Sequence, residues 1–187
     1  MTTDTDASSP AAADASSPLS ASTDPDEETL AFAARVFAHA RAGDLAPMAD
    51  LIAGGLPPNL RNDKGDSLLM LASYHGHADL SRLLLENGAD ADLANDRGQT
   101  PLAGAAFKGD LAIARLLLDH GATVDARDPA GRTALAVAAM FDRAPIVDLL
   151  LERGADAGAR DRAGLTAADG ARAMGAADMA ARLGGSD

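Results

Sequence analysis

The sequence predicts an all-α solenoid built from stacked copies of one helix pair. Three observations point to it. Glycines recur every 33 residues, at Gly65, Gly98, Gly131 and Gly164, and again at Gly55, Gly88, Gly121 and Gly154. Leucines keep the same interval, at Leu51, Leu84, Leu117, Leu150 and Leu183. A triple leucine marks one place in three of the units, at residues 83–85, 116–118 and 149–151. A fixed period of this length means one supersecondary unit repeated along the chain. Such a chain builds an extended surface rather than a closed pocket. That favours holding other molecules over transforming them.

Residues 1–23 are Ser, Thr, Ala, Asp and Pro almost throughout, and the unit DASSP occurs twice. Low hydrophobicity and like charge leave little to offset the entropy of ordering, so this stretch reads as a disordered acidic tail. Residues 1–28 hold no Lys or Arg and no apolar run, which excludes a secretory signal there. An N-terminal capping repeat is expected over 24–61. Asp24, Pro25, Asp26, Glu27 and Glu28 supply a cap, a proline pre-set for the first turn, and carboxylates at the positive helix end. Leu30, Ala34, Phe37 and Ala38 recur at helical spacing up to about Arg41, Gly43 ends that helix, and a second helix is expected from Leu45 to Ala53.

Four further units follow, over 62–94, 95–127, 128–160 and 161–187. Each opens with a turn, read as NDKG, NDRG, DPAG and DRAG. Asp or Asn starts each turn and Gly closes it. Ser67, Thr100, Thr133 or Thr166 then supplies a hydroxyl suited to capping the first helix. The second helix carries the leucines and stops at Gly88, Gly121 or Gly154, where glycine accepts the left-handed conformation. The next residues, such as Ala89, Asp90, Ala91 and Asp92, read as extended. The outer units differ from the middle ones. Asp50 and Arg182 stand where the middle units have Leu83, Leu116 and Leu149, and Asp169 stands where they have Met70, Ala103 and Ala136. An end unit lacks one neighbour, so a charge there stays hydrated.

These residues resemble the ankyrin repeat. The family's TPLHxA motif reads as SLLMLA at Ser67, TPLAGA at Thr100 and TALAVA at Thr133, with its histidine absent each time. Its GADVNA motif reads as GADADL, GATVDA and GADAGA. The resemblance covers about residues 29–187. It implies an ankyrin-repeat solenoid of helix-turn-helix units joined by β-turns, and a protein that binds other proteins through its concave side.

Composition limits the other function classes. The net charge is -12, which disfavours sequence-independent binding to nucleic acid or to anionic membranes. There is no cysteine, hence no disulfide, thiolate metal site or thiol nucleophile. No apolar stretch is long enough to span a membrane. His75 and His77 flank Gly76 in a turn without a third ligand, so they read as surface histidines rather than a metal site. No catalytic constellation, cofactor motif or metal loop is present in a fitting context. The expectation is a monomeric, cytoplasmic, non-enzymatic binder.

The resemblance places the candidate contacts at the turn tips and the ends of the first helices. There the chain has Tyr74 and His75, Phe107 and Lys108, and Met140 and Phe141, with Lys64, Arg97 and Arg132 at the turns. Three of the five aromatic residues thus fall at positions the repeat leaves free. They read as an exposed apolar stripe of the kind that marks binding sites. The alternative is that Phe107 and Phe141 fold under the neighbouring helix as core. Arg61, Arg127 and Arg160 precede the turns and add basic character to that edge. The partner is expected to be another protein. An alternative has the acidic tail masking the same face.

Overall fold

The computed structural model describes residues 27–185. The tail over 1–23 and the cap at Asp24 lie outside the described residues. Within them are five helix pairs: α1 (Glu27–Ala42) with α2 (Leu45–Ala53), α3 (Leu68–Tyr74) with α4 (Ala78–Glu86), α5 (Pro101–Lys108) with α6 (Leu111–Asp119), α7 (Ala134–Met140) with α8 (Ala144–Glu152), and α9 (Ala167–Ala173) with α10 (Ala177–Gly184). The first helices α1, α3, α5, α7 and α9 pack in that order as one layer. The second helices α2, α4, α6 and α8 form the other layer, and α10 packs on α9. One continuous core runs between the layers. Leu84, Leu117 and Leu150 are fully buried in it, with Ala72, Ala105, Ala138 and Ala171 facing them from the short first helices.

Each unit is assembled by the same local bonds. The Ser67, Thr100, Thr133 and Thr166 hydroxyls accept from the backbone N–H of Met70, Ala103, Ala136 and Asp169, as the sequence implies for caps. In each turn the leading side-chain oxygen accepts two backbone N–H groups. Asn62 takes those of Lys64 and Asp66, and Asp128 takes those of Ala130 and Arg132, all at 2.9 Å. The closing glycine has a left-handed φ, +72° at Gly65 and +83° at Gly131. At the end of each leucine helix the chain turns back, and the N–H groups of Ala89, Ala122 and Ala155 donate to the carbonyls of Leu84, Leu117 and Leu150.

A second set of bonds ties each unit to the next. Side chains at positions 59, 92 and 125 accept from the backbone N–H of Asp90, Thr123 and Asp156 at 2.8, 2.9 and 3.2 Å. Gly158 holds the next place in that series and has no side chain to accept, so these bonds join the first four units. Neighbouring turns also bond directly, Asp96 N–H to the Lys64 carbonyl and Arg162 N–H to the Ala130 carbonyl. The rung between the second and third turns falls at Pro129, which has no N–H to give. Along the second layer, Arg153 pairs with Asp119 at 2.8 Å and Arg182 pairs with Asp148.

The structure corrects two readings. In α1 the buried stripe is Val36, Phe37 and Ala40, with Ala33 packed beside it, whereas Leu30, Ala34 and Ala38 are exposed. The end helix packs mainly on α2 and α3, and those two contacts set its inward face. Residues 89–92 do not run extended. Asp90 accepts from Asp92 N–H through its side chain and from Leu93 N–H through its carbonyl, so the segment closes into a turn. Arg61, Arg127 and Arg160 are exposed, and their donors are engaged. They donate to the carbonyls of Gly65, Gly131 and Gly164 in their own turns. Arg61 and Arg127 also reach the carbonyls of Ala94 and Arg160 in the next unit.

Two expectations follow. Leu117→Ala should cost about 2–5 kcal/mol, through lost burial and the cavity left behind. Leu183→Ala, in the last helix and with one side uncovered, should cost less. Urea melts of the two variants check this, and equal losses would contradict the stacking order. The second concerns acid. Burial pushes the Asp128 carboxyl up, but bonds from the Arg132 side chain and backbone, the Arg132 charge and Ala130 N–H outweigh it and hold it below the ordinary carboxylate range. Its contribution is therefore present above its unfolded value of about 3.9 and is lost as pH falls through the lower folded value. Asp128→Asn keeps an oxygen for the turn, as Asn62 and Asn95 do. Its melting temperature should fall less steeply than the wild type's between about pH 5 and pH 3.

Candidate functional site

The first helices and the turns enclose a groove of about 520 Å³ on the concave side. Its geometry comes from one repeated offset. The equivalent residues 74, 107 and 140, at or next to the end of their first helices, lean onto the next unit. Tyr74 leans toward Gly104, where a Cβ would meet its Cδ2 at 3.6 Å, and the Lys108 ammonium lies 5.2 Å from the Tyr74 ring centre. Phe107 meets Phe141 edge-on, with ring centres 4.7 Å apart and an 81° angle between planes. Met140 leans over Gly170, with its Cγ 3.0 Å from where a Cβ would stand. The rings are therefore not evenly spaced. Tyr74 stands with a lysine, and the two phenylalanines form a pair.

All three rings remain open to solvent, at 39% for Tyr74, 41% for Phe107 and 37% for Phe141. None is covered by the next helix. Tyr74, His75, Phe107, Met140, Phe141, Arg97 and Arg132 line the one groove. Lys108 lies beside it, in a shallower depression shared with Tyr74 and His75. His75 meets the Tyr74 ring edge-on at 5.8 Å and stacks on His77 at 6.2 Å. Lys64 is exposed at its turn tip and does not line the groove.

The turn side of the groove is polar and largely spoken for. Buried Asn95 takes Arg97 N–H and Gln99 N–H with its oxygen and donates to Asp66 at 2.9 Å. Arg132 pairs with Asp128 at 2.7 Å. The Arg97 guanidinium makes no hydrogen bond or ion pair among the described residues. Satisfied turn groups hold this rim in place, and the apolar floor lies open beside it. Sequence reasoning missed the floor itself, which includes Met70, Ala103 and Gly104. The available signal was a glycine inside a helical pattern, at Gly104.

Among the described residues no group of three or more acidic or histidine side chains is placed to hold a metal ion, and no helix is long and apolar enough to cross a membrane. What the groove offers chemically is contact area, two aromatic clusters and one uncommitted cation.

Comparison with known proteins agrees with this architecture. The family model for ankyrin repeats, three copies, matches residues 36–128 and again 94–161. A protein of Pseudomonas aeruginosa, named as an ankyrin repeat protein, is 60% identical over 58 residues, covering 31% of this chain and 34% of that one. The chain thus spans about a third of the length of the curated relative it matches. With the period, the stacked helix pairs and the family match in agreement, the chain belongs to the ankyrin repeat family, whose repeats mediate contact between proteins.

Proposed function

We propose that this chain is a non-enzymatic protein-binding module, an adaptor, inhibitor or regulator that holds a partner protein in its concave groove. The observation that carries the reading is the exposure of Tyr74, Phe107 and Phe141 together on one face of an otherwise complete core. Large apolar side chains left open beside a fixed polar rim are what binding hot spots are made of. His75, Lys108, Met140, Arg97 and Arg132 belong to the same surface, with Lys64 at its margin. The partner is a protein rather than nucleic acid or membrane, because the net charge of -12 repels polyanions. A monomeric module in a bacterial cytoplasm suits the cysteine-free composition.

Replacing Tyr74, Phe107 and Phe141 together with Ser tests the reading. The variant should melt close to the wild type and fail to capture a partner from native lysate. Buried rings would each cost about 3–5 kcal/mol on truncation, so a variant that unfolds contradicts the reading.

A second reading has the acidic tail covering the same groove, and the uncommitted Arg97 and exposed Lys64 favour it. Under that reading, removing residues 1–23 tightens partner binding at low salt, and raising salt reproduces the effect on the intact chain. Equal affinities of the two proteins at low salt dispose of it.

A further inference from the structure

Gly104 breaks a local rule without a structural need. It lies inside α5, where glycine weakens a helix. Its φ is not left-handed, and a Cβ there would make only ordinary contacts, 3.6 Å to Tyr74 Cδ2 and 3.9 Å to Met70 Sδ. Gly170, the matching residue two units on, differs, because Met140 crowds it at 3.0 Å. The corresponding residues of α3 and α7 are Leu71 and Val137. With Ala103 beside it, Gly104 lines the groove together with Tyr74 and the Phe107–Phe141 pair.

The charges around this floor are uneven in a second way. The groove carboxylates are engaged, Asp66 by Asn95 and Asp128 by its own turn and Arg132. Arg97 faces the same groove unpaired, and Lys108 stands over Tyr74. Arg97 is thus the lining cation without a bonded partner among the described residues, while Asp66 is bonded only by neutral amides and keeps its charge.

We propose that the centre of the groove is an anchor for a partner-protein segment pairing one bulky apolar side chain with a nearby Asp or Glu. The apolar side chain seats over Ala103 and Gly104, flanked by Tyr74 and Phe107. The carboxylate pairs with Arg97. This rests on the groove being the binding face. The tail's Leu19 is a poor match, since its nearest carboxylates, Asp14 and Asp24, are five positions away on either side; Met1 lies three from Asp4, so removal of residues 1–23 is part of the test. The occupant proposed is a segment of a separate protein.

The test is selection of random peptides displayed on phage against the full chain, followed by anisotropy titration of the enriched peptides. Enriched peptides should combine a bulky apolar residue with a neighbouring acid. Gly104→Leu, which fills the floor, and Arg97→Gln should each weaken them about tenfold or more, as loss of a hot-spot contact does. Gly104→Ala should retain binding and raise the melting temperature. If Gly104→Leu melts early, Arg97→Gln carries the test. No enrichment, enrichment without acids, or binding indifferent to both Gly104→Leu and Arg97→Gln overturns the anchor. If the triple Ser variant still loses those peptides, the groove reading survives the anchor's failure. If it binds them too, both readings fail. A chain lacking residues 1–23 that binds the peptides about tenfold tighter than the full chain identifies the tail as occupant and overturns the assignment to a partner protein.

Discussion

The paired helices are short. In the middle units they run seven to nine residues, well below the length at which an isolated helix holds in water. Neither helix of a unit, nor the unit itself, can cover its own leucines. Leu84, Leu117 and Leu150 reach zero exposure because each unit presses against the next. Stability is therefore a property of the interfaces between units, and the bonds that carry it recur at the repeat interval. The side chains at 59, 92 and 125, the arginines at 61 and 127, and the direct bonds between turns all join one unit to its successor.

The groove is a by-product of that stacking. The turn side must satisfy its polar groups, and it does so internally, through Asn62, Asn95, Asp128 and Asp161. This leaves a stiff polar rim. The first helices end where the next unit is offset, so their terminal side chains lean outward along the array and not into the core. Tyr74, Phe107 and Met140 occupy this position in successive units. Their identities do not matter to the core, and the chain is free to place a tyrosine, a phenylalanine and a methionine there. Function is written at the positions that packing does not constrain.

Much of the fold was legible because a repeat states each rule several times. Four turns, four hydroxyl caps and five leucines agree, and the helix pairs lie where they say. The end unit was the least legible. Ala34 and Ala38 match the helical period as well as Ala33 and Ala40 do, and contact with α2 and α3 decides between them. The arginines at 61, 127 and 160 lie at the surface, but their bonds were not legible, since their donors fill carbonyls that the turn exposes. The aromatic positions were identifiable as free ones, but their pairing was not. Whether Phe107 meets Phe141 depends on the offset between units, which no single repeat encodes. Gly104 was visible as an anomaly, and its meaning depends on what stands around it.

The methionines offer the most direct check on where a partner sits. Met70 and Met140 line the groove, whereas Met48 and Met179 are buried in the second helices α2 and α10. With the methionine methyls labelled, each gives its own signal in a carbon–proton correlation spectrum. Adding a captured partner should shift or broaden Met70 and Met140 and leave Met48 and Met179 in place. Shifts confined to Met48 and Met179, with Met70 and Met140 unmoved, would put the contact on the opposite face and contradict binding in the groove.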